Sequence, residues 1–586
     1  MLVERLPWTA TALRSDGTVE PAFSFGWTQF REGGGASITV TCTADEPVEA
    51  GIRVELRLDP THDPGWLVPG VFYGENRPEN CKRLFPRFVR DRTDVAAMES
   101  NEWSFRADRC ATPAVFARGA ALVTAEESVL GQSGVGFAYE DGRPILRLHF
   151  PYREEPLRYD GSETPAPVDV RMHRWTPGET VFLYFTVYEL EDDPHAYAQV
   201  LRDVHDAPAI REDPGWVSIE EAAALAAWGL YRWHYRPDPA RLLETVAFDL
   251  EASGERDAMH VSWVSGVPYA YGLLRHGRRV GNAGYVAAAE AVLDHIAGNL
   301  TPGGTFWSQW TASRGWTTGW HPDHTRLHAR TLADATLFML RAGPRWEAAA
   351  RSNVAVACRT QREDGALAAA HHVETGDAVA WEGTAGLAWI PALVEAGELE
   401  AAQRAGDYYR RFVDAEFLYG APEDVDLAPT SEDGYAALMA YVALEDWETA
   451  RRAADWMLSF RYTYDVAFPP HTILGKYGFR TRGADQASPA NQHLHAFGLI
   501  CLPELVHLAR ATGDDYYFTR ARENLDCFRQ FIAREDGDFG AYRGMATERY
   551  FQTDYIQAKG MLLTLSHAWS IGVLLYACEE ALELGL

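Results

Sequence analysis

Acidic side chains recur where segments with helical periodicity begin, close to residues that could hold a sugar. Glu382 follows Trp381 directly ahead of one such segment, and Glu432 and Asp433 open another. Two carboxyl groups that face each other across a hollow can cleave a glycosidic bond, because one protonates the leaving oxygen while the second activates water or attacks the anomeric carbon. The candidate catalytic residues are Glu382, Glu432, Asp433, Asp485, Glu548 and Asp554.

Helix capping is the structural alternative for two of these acids. Thr430 lies three residues ahead of Asp433. A Thr followed at this spacing by an acid closes a helix N-terminus through reciprocal hydrogen bonds. Both capping and catalysis therefore stay open for Glu432 and Asp433.

Aromatic and polar residues crowd the stretches between the predicted helices. A Gly/Ser/Thr-rich stretch with several Trp residues would offer flat faces to sugar rings, with a small loop core as the alternative. The segment 479–495 carries more polar groups than a core helix needs, and the aromatic loop 63–77 could close one side of the site. The candidate substrate-binding residues are Trp66, Tyr73, Trp310, Trp316, Trp320, Arg480, Arg482, Asn491, His493 and Tyr550.

Short and long connections alternate between the predicted helices. Helical pairs with short loops at one end must carry their long loops at the other end. Six such pairs packed side by side close into an (α/α)6 toroid whose long loops line a concave site. An open solenoid is the alternative, but no repeated consensus supports it. The helices are expected near 219–235, 265–277, 282–298, 327–342, 345–361, 383–396, 398–416, 432–445, 447–460, 490–512, 515–533 and 557–583.

The chain ahead of these helices has the periodicity of strands. Up to about residue 190 it alternates with period two between frequent turns, as in 51–58 and 180–188, which predicts an antiparallel β-sandwich. The expected organisation is a β-sandwich domain over 1–190, a linker over 191–214 and the toroid over 215–586.

A β-sandwich followed by a twelve-helix toroid resembles the glucoamylase-like superfamily, which includes glucoamylases, trehalases and disaccharide phosphorylases. The same domain order occurs in glucuronyl C5-epimerases. The resemblance is architectural and covers most of the chain. It implies a general acid ahead of the third inner helix, where Trp381-Glu382 matches the family's Trp-Glu pair, and a base ahead of the last one, where Glu548 or Asp554 corresponds. Gly383 stands where a second acid is common in the family.

Composition excludes several classes of partner. The chain has 54 Lys and Arg against 83 Asp and Glu, and its net charge of −29 argues against nucleic acid or an anionic membrane. No apolar stretch is long enough to span a bilayer. The N-terminus lacks a secretory pattern and the seven cysteines are scattered, which is typical of a cytoplasmic protein with free thiols. We expect a carbohydrate as the partner, no cofactor and no metal, since no HExxH, P-loop or dinucleotide-binding motif occurs. A homo-oligomer is left open.

The expected function is a glycoside hydrolase that acts on an oligo- or polysaccharide by paired carboxyl groups. A polysaccharide lyase or uronate epimerase is the first alternative. It would use Tyr550 or His493 as base, and Arg480 and Arg482 would neutralise a uronate carboxylate. A non-enzymatic carbohydrate-binding protein is the second alternative.

Overall fold

The chain up to Glu189 folds into two antiparallel sheets. The computed structural model describes residues 8–586 except 33, 208–215, 250–255, 321–322, 424 and 426. One sheet has the order β1-β4-β11-β10-β7, with β12 also paired to β4, and the other has the order β2-β3-β13-β9-β8-β5-β6. The strands are β1 (Trp8–Leu13), β2 (Phe23–Glu32), β3 (Gly35–Ala44), β4 (Val48–Arg57), β5 (Leu67–Val68), β6 (Phe72–Tyr73), β7 (Glu102–Arg106), β8 (Ala114–Ala117), β9 (Ala120–Val123), β10 (Gly134–Glu140), β11 (Arg143–Phe150), β12 (His173–Trp175) and β13 (Thr180–Glu189).

Alternation along the strands separates a packed face from an uncovered one. In β3 the side chains of Ile38, Val40 and Cys42 are fully buried between the sheets, whereas those of the intervening threonines are partly exposed. The outer side of the second sheet carries a surface that we name the threonine face. It consists of every second residue of β2 from 24 to 30, of β3 from 37 to 43 and of β13 from 180 to 186.

The rest of the chain is mainly helical, as the change of periodicity predicted. No helix within the described residues is long and apolar enough to cross a membrane. The α-helices of the described residues are α1 (Tyr197–Asp206), α2 (Ile219–Gly229), α3 (Val267–Val280), α4 (Ala283–Ala297), α5 (Ala329–Ala342), α6 (Glu347–Thr360), α7 (Trp389–Glu395), α8 (Leu399–Asp414), α9 (Ser431–Ala443), α10 (Trp447–Leu458), α11 (Ile473–Lys476), α12 (Leu502–Thr512), α13 (Asp515–Phe528) and α14 (Ala568–Leu584).

Helix contacts run in a closed cycle. Along the chain, α3 packs on α5, α5 on α7, α7 on α9, α9 on α12 and α12 on α14, and α14 returns to α3. We call these the inner helices. Each packs against an outer partner, namely α4, α6, α8, α10, α13 and α2 in the same order. Short connections join the ends of most pairs, as at Gly281 and Gly513, whose left-handed backbone ends the preceding helix. The long connections therefore meet at the opposite end, where the inner helices begin.

Three inner helices begin later than their periodicity predicted. The third starts with a 3-10 turn over Ala385–Ala388. The fifth was expected from residue 490, but it follows a two-strand ladder and a 3-10 helix over Phe497–Cys501. The last was expected from residue 557, but it begins at Ala568 because Leu565–His567 pairs as a strand with Thr245–Ala247. In the last two cases, backbone pairing across the loops competes with helix formation.

Helix α1 lies within the region expected to be a linker. The last part of that region, from 208 to 214, lies outside the described residues, as does most of the N-terminal segment that lacks a secretory pattern.

The sheets pack directly on the helical part. Tyr73 stacks on Phe460 with ring centroids 4.5 Å apart, and its hydroxyl lies 2.8 Å from Ser459 Oγ. Nearby, Lys559 Nζ lies 3.0 Å from a carboxylate oxygen of Asp108, which is fully buried. This interface is therefore both apolar and ionic, and it fixes the loops that precede α12 and α14.

Glu504, near the start of α12, gives a stability prediction. It is 7% exposed, and its Oε2 has no hydrogen-bond partner within the part of the chain that the structure describes. Burial raises its pKa from 4.5 to about 7, although Arg341 opposes this. The folded state therefore holds a proton that the unfolded state has already released above pH 4.5, so the fold loses stability as pH rises from about 4.5 to about 7 and keeps the lower stability above that pH.

We expect Glu504→Gln to increase the free energy of unfolding more at pH 8 than at pH 5, by about 3 kcal/mol at 1.36 kcal/mol per pKa unit. Urea unfolding at both pH values measures this. The exposed Glu400→Gln serves as the control and should show no pH-dependent gain. An equal effect of Glu504→Gln at both pH values would contradict the prediction.

Candidate active site

Four short strands that precede inner helices each end in a histidine. Ala258–His260 leads into α3, Arg326–His328 into α5, Leu494–His495 into the 3-10 turn before α12, and Leu565–His567 into α14. Each pairs with a neighbouring loop. Because the inner helices begin at one end of the ring, these pairings bring the histidines to a common region, which we call the bowl.

Glu423 lies between two of these histidines. Its carboxylate accepts a hydrogen bond from Thr331 Oγ1 and lies 3.9 Å from His260 Nε2 and 4.0 Å from His328 Nδ1. Burial alone would raise the pKa of this carboxyl, but the neighbouring histidines and Thr331 lower it to about 2. Glu423 is therefore ionised throughout the physiological range.

Backbone hydrogen bonds select the tautomers on this side of the bowl. The Ser262 N–H donates to His260 Nδ1 at 3.2 Å, and the Arg330 N–H donates to His328 Nδ1 at 3.3 Å. A ring nitrogen that accepts such a bond carries no proton, so both neutral imidazoles hold theirs on Nε2. His260 and His328 are therefore proton donors at Nε2.

Arg330, which is 4% exposed, joins two acids of the bowl. Its guanidinium forms an ion pair with Glu432 and lies 3.4 Å from Asp334 on the next turn of α5. Burial raises the pKa of Asp334 to about 6, against the lowering effect of Arg330. One guanidinium thus contacts a carboxylate in a direct ion pair and a second carboxyl that protonates in mildly acidic solution.

His567 and Glu548 form the opposite side of the bowl. His567 Nδ1 lies 3.0 Å from the Leu565 carbonyl, which can only accept, so the neutral ring has its lone pair on Nε2. That Nε2 lies 3.6 Å from Glu548 Oε2. Burial lowers the pKa of His567, although Glu548 opposes the shift. This pair can therefore accept a proton.

Glu548 itself is held by donors. Trp569 Nε1 donates to its Oε2 at 3.3 Å, and Arg549 Nε donates to its Oε1 at 2.8 Å. Burial would raise the pKa of Glu548, but His567, Arg549 and Trp569 together lower it.

His495 lies within electrostatic reach of Glu432 and Glu548. Its Nε2 lies 3.1 Å from Ser431 Oγ, whose own proton goes to the Ala487 carbonyl, so His495 donates from Nε2 and has its lone pair on Nδ1. Burial lowers its pKa, whereas Glu432 and Glu548 raise it.

Four aromatic rings connect the two sides of the bowl, and we call them the aromatic arc. Trp320 stacks on His260 with centroids 5.2 Å apart and lies 5.8 Å from Trp263. Trp263 lies 6.2 Å from Phe497, which lies 5.7 Å from Trp569. The arc therefore runs from the donor histidines to Glu548, with the Arg330 guanidinium 4.6 Å from both of its central rings.

The structure places four of the sequence-predicted residues in or beside the bowl. Glu432, Glu548 and Trp320 belong to the contacts above. His493 lies beside them, 6.2 Å from His495, and is 6% exposed, and its Nδ1 has no hydrogen-bond partner among the described residues. Asn491 lies next to this group, because its Oδ1 accepts from the hydroxyl of Tyr555, whose ring packs against His493.

Three predicted acids lie elsewhere, in structural contacts. Asp433 closes a capping box with Thr430 and accepts from the Ala421 N–H, and is completely buried. Asp485 forms a two-pronged ion pair with Arg461 in which both side chains are 0% exposed. Asp554 pairs with Arg106 of the sheet domain at 2.9 Å. The sequence predicted that Glu382, Asp433 and Asp485 line one shared hollow. The structure instead places them in separate surroundings.

Glu382 lines a cavity of about 710 Å³ between the sheets and the helices, together with Trp66 and Tyr73. Glu382 is exposed, whereas the two rings are almost completely buried. Gly383 has a left-handed backbone, with φ of 73°, and a Cβ there would lie 2.5 Å from the Tyr419 carbonyl oxygen. This explains why no second acid stands at that position.

The other predicted binding residues lie outside the bowl. Trp310 and Trp316 pair across two strands and pack around His295, which is the loop core given above as the alternative. Arg482 pairs with Glu523 at 3.1 Å. The backbone N–H of Arg480 bonds to Gln530. Tyr550, the last of the predicted substrate-binding residues, is 2% exposed, and its ring centroid lies 4.0 Å from that of Phe531.

Sequence reasoning missed most of the bowl, including His260, His328, Arg330, Glu423 and His567. One signal was available, because each of the four histidines in the short strands lies just ahead of an inner helix. The strands that end in them are only two or three residues long, too short for a period-two pattern to reveal.

No protein-family model and no curated protein matches the chain. Solved structures similar to it include a D-mannose isomerase, with 13% identity, a TM-score of 0.46 and coverage of 64% of this chain and 100% of that one. A polysaccharide lyase shares 9% identity with a TM-score of 0.46, covering 99% and 93%. A GH76 α-mannanase from Bacteroides thetaiotaomicron shares 10% identity with a TM-score of 0.42, covering 63% and 96%. At these values the likeness assigns no reaction to this chain.

The Arg330–Glu432 pair can be tested by a double-mutant cycle. Arg330→Met should lower the free energy of unfolding by about 3–5 kcal/mol, because it leaves a mostly buried carboxylate without its cation. Arg330→Met combined with Glu432→Gln should be clearly more stable than Arg330→Met alone. Denaturant unfolding of the wild type, both single variants and the double variant measures the coupling, and additive losses would contradict the assignment of a coupled pair.

Proposed function

We propose that the protein is an enzyme that moves a proton on a neutral sugar bound in the bowl, and so epimerises or isomerises the sugar next to its carbonyl group. The observation that carries the proposal is the convergence of donor histidines on one side and the His567–Glu548 pair on the other. We infer that these loops belong to an (α/α)6 toroid preceded by a β-sandwich, since the inner helices contact one another in a closed cycle.

The lining of the bowl supports a polyhydroxylated ligand. Aromatic faces stack on the C–H faces of sugar rings, and carboxylates and imidazoles bind hydroxyl groups. Among the residues described above, the carboxylates Glu423, Glu432 and Glu548 outnumber the guanidiniums Arg330 and Arg549. An uncharged sugar therefore fits better than a uronate, whose carboxylate would meet this excess of negative charge.

The tautomers assign the proton transfers. The His567–Glu548 pair removes the proton from the carbon next to the carbonyl, and the C–H electron pair forms the C=C bond of an enediol. His328, whose ring is partly exposed, donates its Nε2 proton to the carbonyl oxygen as the negative charge develops there, whereas the Nε2 of the buried His260 faces Thr331 Oγ1 at 3.4 Å. Return of a proton to the opposite face of the same carbon gives the epimer, and return to the neighbouring carbon gives the isomer. His328, left as an imidazolate, takes its proton back from the enediol hydroxyl as the carbonyl re-forms, and the proton held by His567 returns to carbon or exchanges with solvent.

Isotope exchange tests this function directly. Neutral aldoses and ketoses incubated with the protein in D2O should gain deuterium next to the carbonyl group and convert to an epimer or isomer, both visible by NMR. His567→Asn should slow exchange by about 10²–10⁴-fold, the usual contribution of a positioned base. The exposed His471→Asn is the matched control and should leave the rate unchanged. Absence of exchange with every neutral sugar would refute the proposal.

The dependence on pH gives a second test. Since burial lowers the pKa of His567 below its usual 6.5, the base stays neutral and kcat/KM should hold its plateau to a pH below that value. Glu548 favours the imidazolium, so Glu548→Gln should move the acid limb to still lower pH while reducing the plateau. A limb that moves to higher pH would contradict the assigned pair.

Glycoside hydrolysis is the second candidate function, and the Arg330 cluster favours it. Asp334, with a pKa raised to about 6, and Glu432, in an ion pair, have the contrasting environments of a general acid and its partner. Release of reducing ends from neutral oligosaccharides without deuterium exchange would select this function. The lyase has less support, because Arg480, Arg482 and Tyr550 lie outside the bowl.

A further inference from the structure

The threonine face is the uncovered part of a sheet that is otherwise packed on both sides. On this side the neighbouring strands β8 and β9 are buried, since Ala121 and Val123 are at most 8% exposed and the Phe116 ring lies edge-on to Tyr197 at the start of α1, with centroids 6.4 Å apart. Nothing within the described residues covers the same side of β2, β3 and β13 in this way, where side chains are partly or fully exposed. The face is bounded by α1 on one side and by the β2 edge on the other.

Its composition differs from that of the rest of the surface. In a chain with a net charge of −29, none of its positions carries Asp, Glu, Lys or Arg, and none is aliphatic. Most are threonine or serine. The exceptions include three aromatic residues with large exposed fractions, namely Phe30 at 71%, Phe182 at 50% and Tyr184 at 64%. Aromatic side chains gathered on a face without charges mark an interaction site rather than a solvated surface.

Strand register arranges these residues in rows across the sheet. Gly26, Thr41 and Phe182 lie side by side, and Thr28, Thr39 and Tyr184 form the next row. The two rings project from one strand about 7 Å apart, twice the rise per residue. At Gly26 an added Cβ would meet only Thr41 Cβ, at 3.9 Å. The surface beside Phe182 is therefore low and open.

We propose that the threonine face binds the surface of a neutral polysaccharide. The rings supply flat faces for sugar rings, and each threonine hydroxyl both donates to and accepts from sugar hydroxyls. The lack of charge matches an uncharged polymer and offers an anionic one no ion pairs. A protein partner fits less well, because protein interfaces are depleted in serine and their hot spots contain few serines and threonines, which make up most of this face. The site is distinct from the bowl, so it holds whichever reaction the bowl performs.

Co-sedimentation of the full chain with insoluble cellulose, mannan and chitin tests the proposal, with cross-linked polygalacturonate as the anionic comparison. The wild type should bind at least one neutral polymer. Phe182→Ala combined with Tyr184→Ala should weaken that binding at least tenfold. Tyr231→Ala, at an exposed tyrosine of the helical part, should bind as the wild type does, and so should His567→Asn. Equal melting temperatures would show that the double variant is folded.

Several results would overturn it. They are failure to bind any of the neutral polymers, equal retention on polygalacturonate, or unchanged binding of the double variant. Sedimentation velocity provides one further test. A wild-type dimer that dissociates when Phe182 and Tyr184 are both replaced would show that a second copy of the chain occupies the threonine face, and would overturn the proposal.

Discussion

Closure of the helical ring is the constraint on which the site depends. Helices α3 and α14 come from opposite ends of the helical sequence, and Gly572 lets them approach, since a Cβ there would lie 2.2 Å from the Tyr269 ring. The strand pair Thr245–Ala247 and Leu565–His567 joins the same two ends. In an open solenoid His567 and His260 would lie at opposite ends of the array. Only the closed cycle brings the acceptor side and the donor side of the bowl together.

Burial then dictates how the charged groups must be accompanied. A carboxylate removed from water is costly unless donors replace its hydration. The bowl satisfies this in three ways, with His260 and Thr331 at Glu423, a guanidinium at Glu432, and an indole and a guanidinium at Glu548. Because the partners differ, the carboxyl groups are not interchangeable. The bowl therefore presents fixed acceptors on both sides, with apolar rings between them.

The sequence carried more information about the scaffold than about the chemistry. Helical periodicity predicted most helices within a few residues, as for 282–298 against Ala283–Ala297. Residue type could not tell which way an acid faces. Asp485 meets Arg461 from 24 positions away, and nothing local in the sequence announces that pairing. The histidines escaped notice for the converse reason, because a lone histidine before a helix resembles any other loop residue until the strands are paired.

The two neighbouring acids at the start of α9 show why capping and site chemistry are not rival explanations. Consecutive helical residues point about 100° apart, so Asp433 and Glu432 cannot share partners. Asp433 is held by Thr430, Thr384 and the Ala421 N–H, and burial raises its pKa to about 6 despite those bonds. These contacts fix the rotation of the first turn of α9, and that rotation directs Glu432 to Arg330. The capping acid thus acts as a positioning residue, and the geometry of the bowl depends on a side chain that does not enter it.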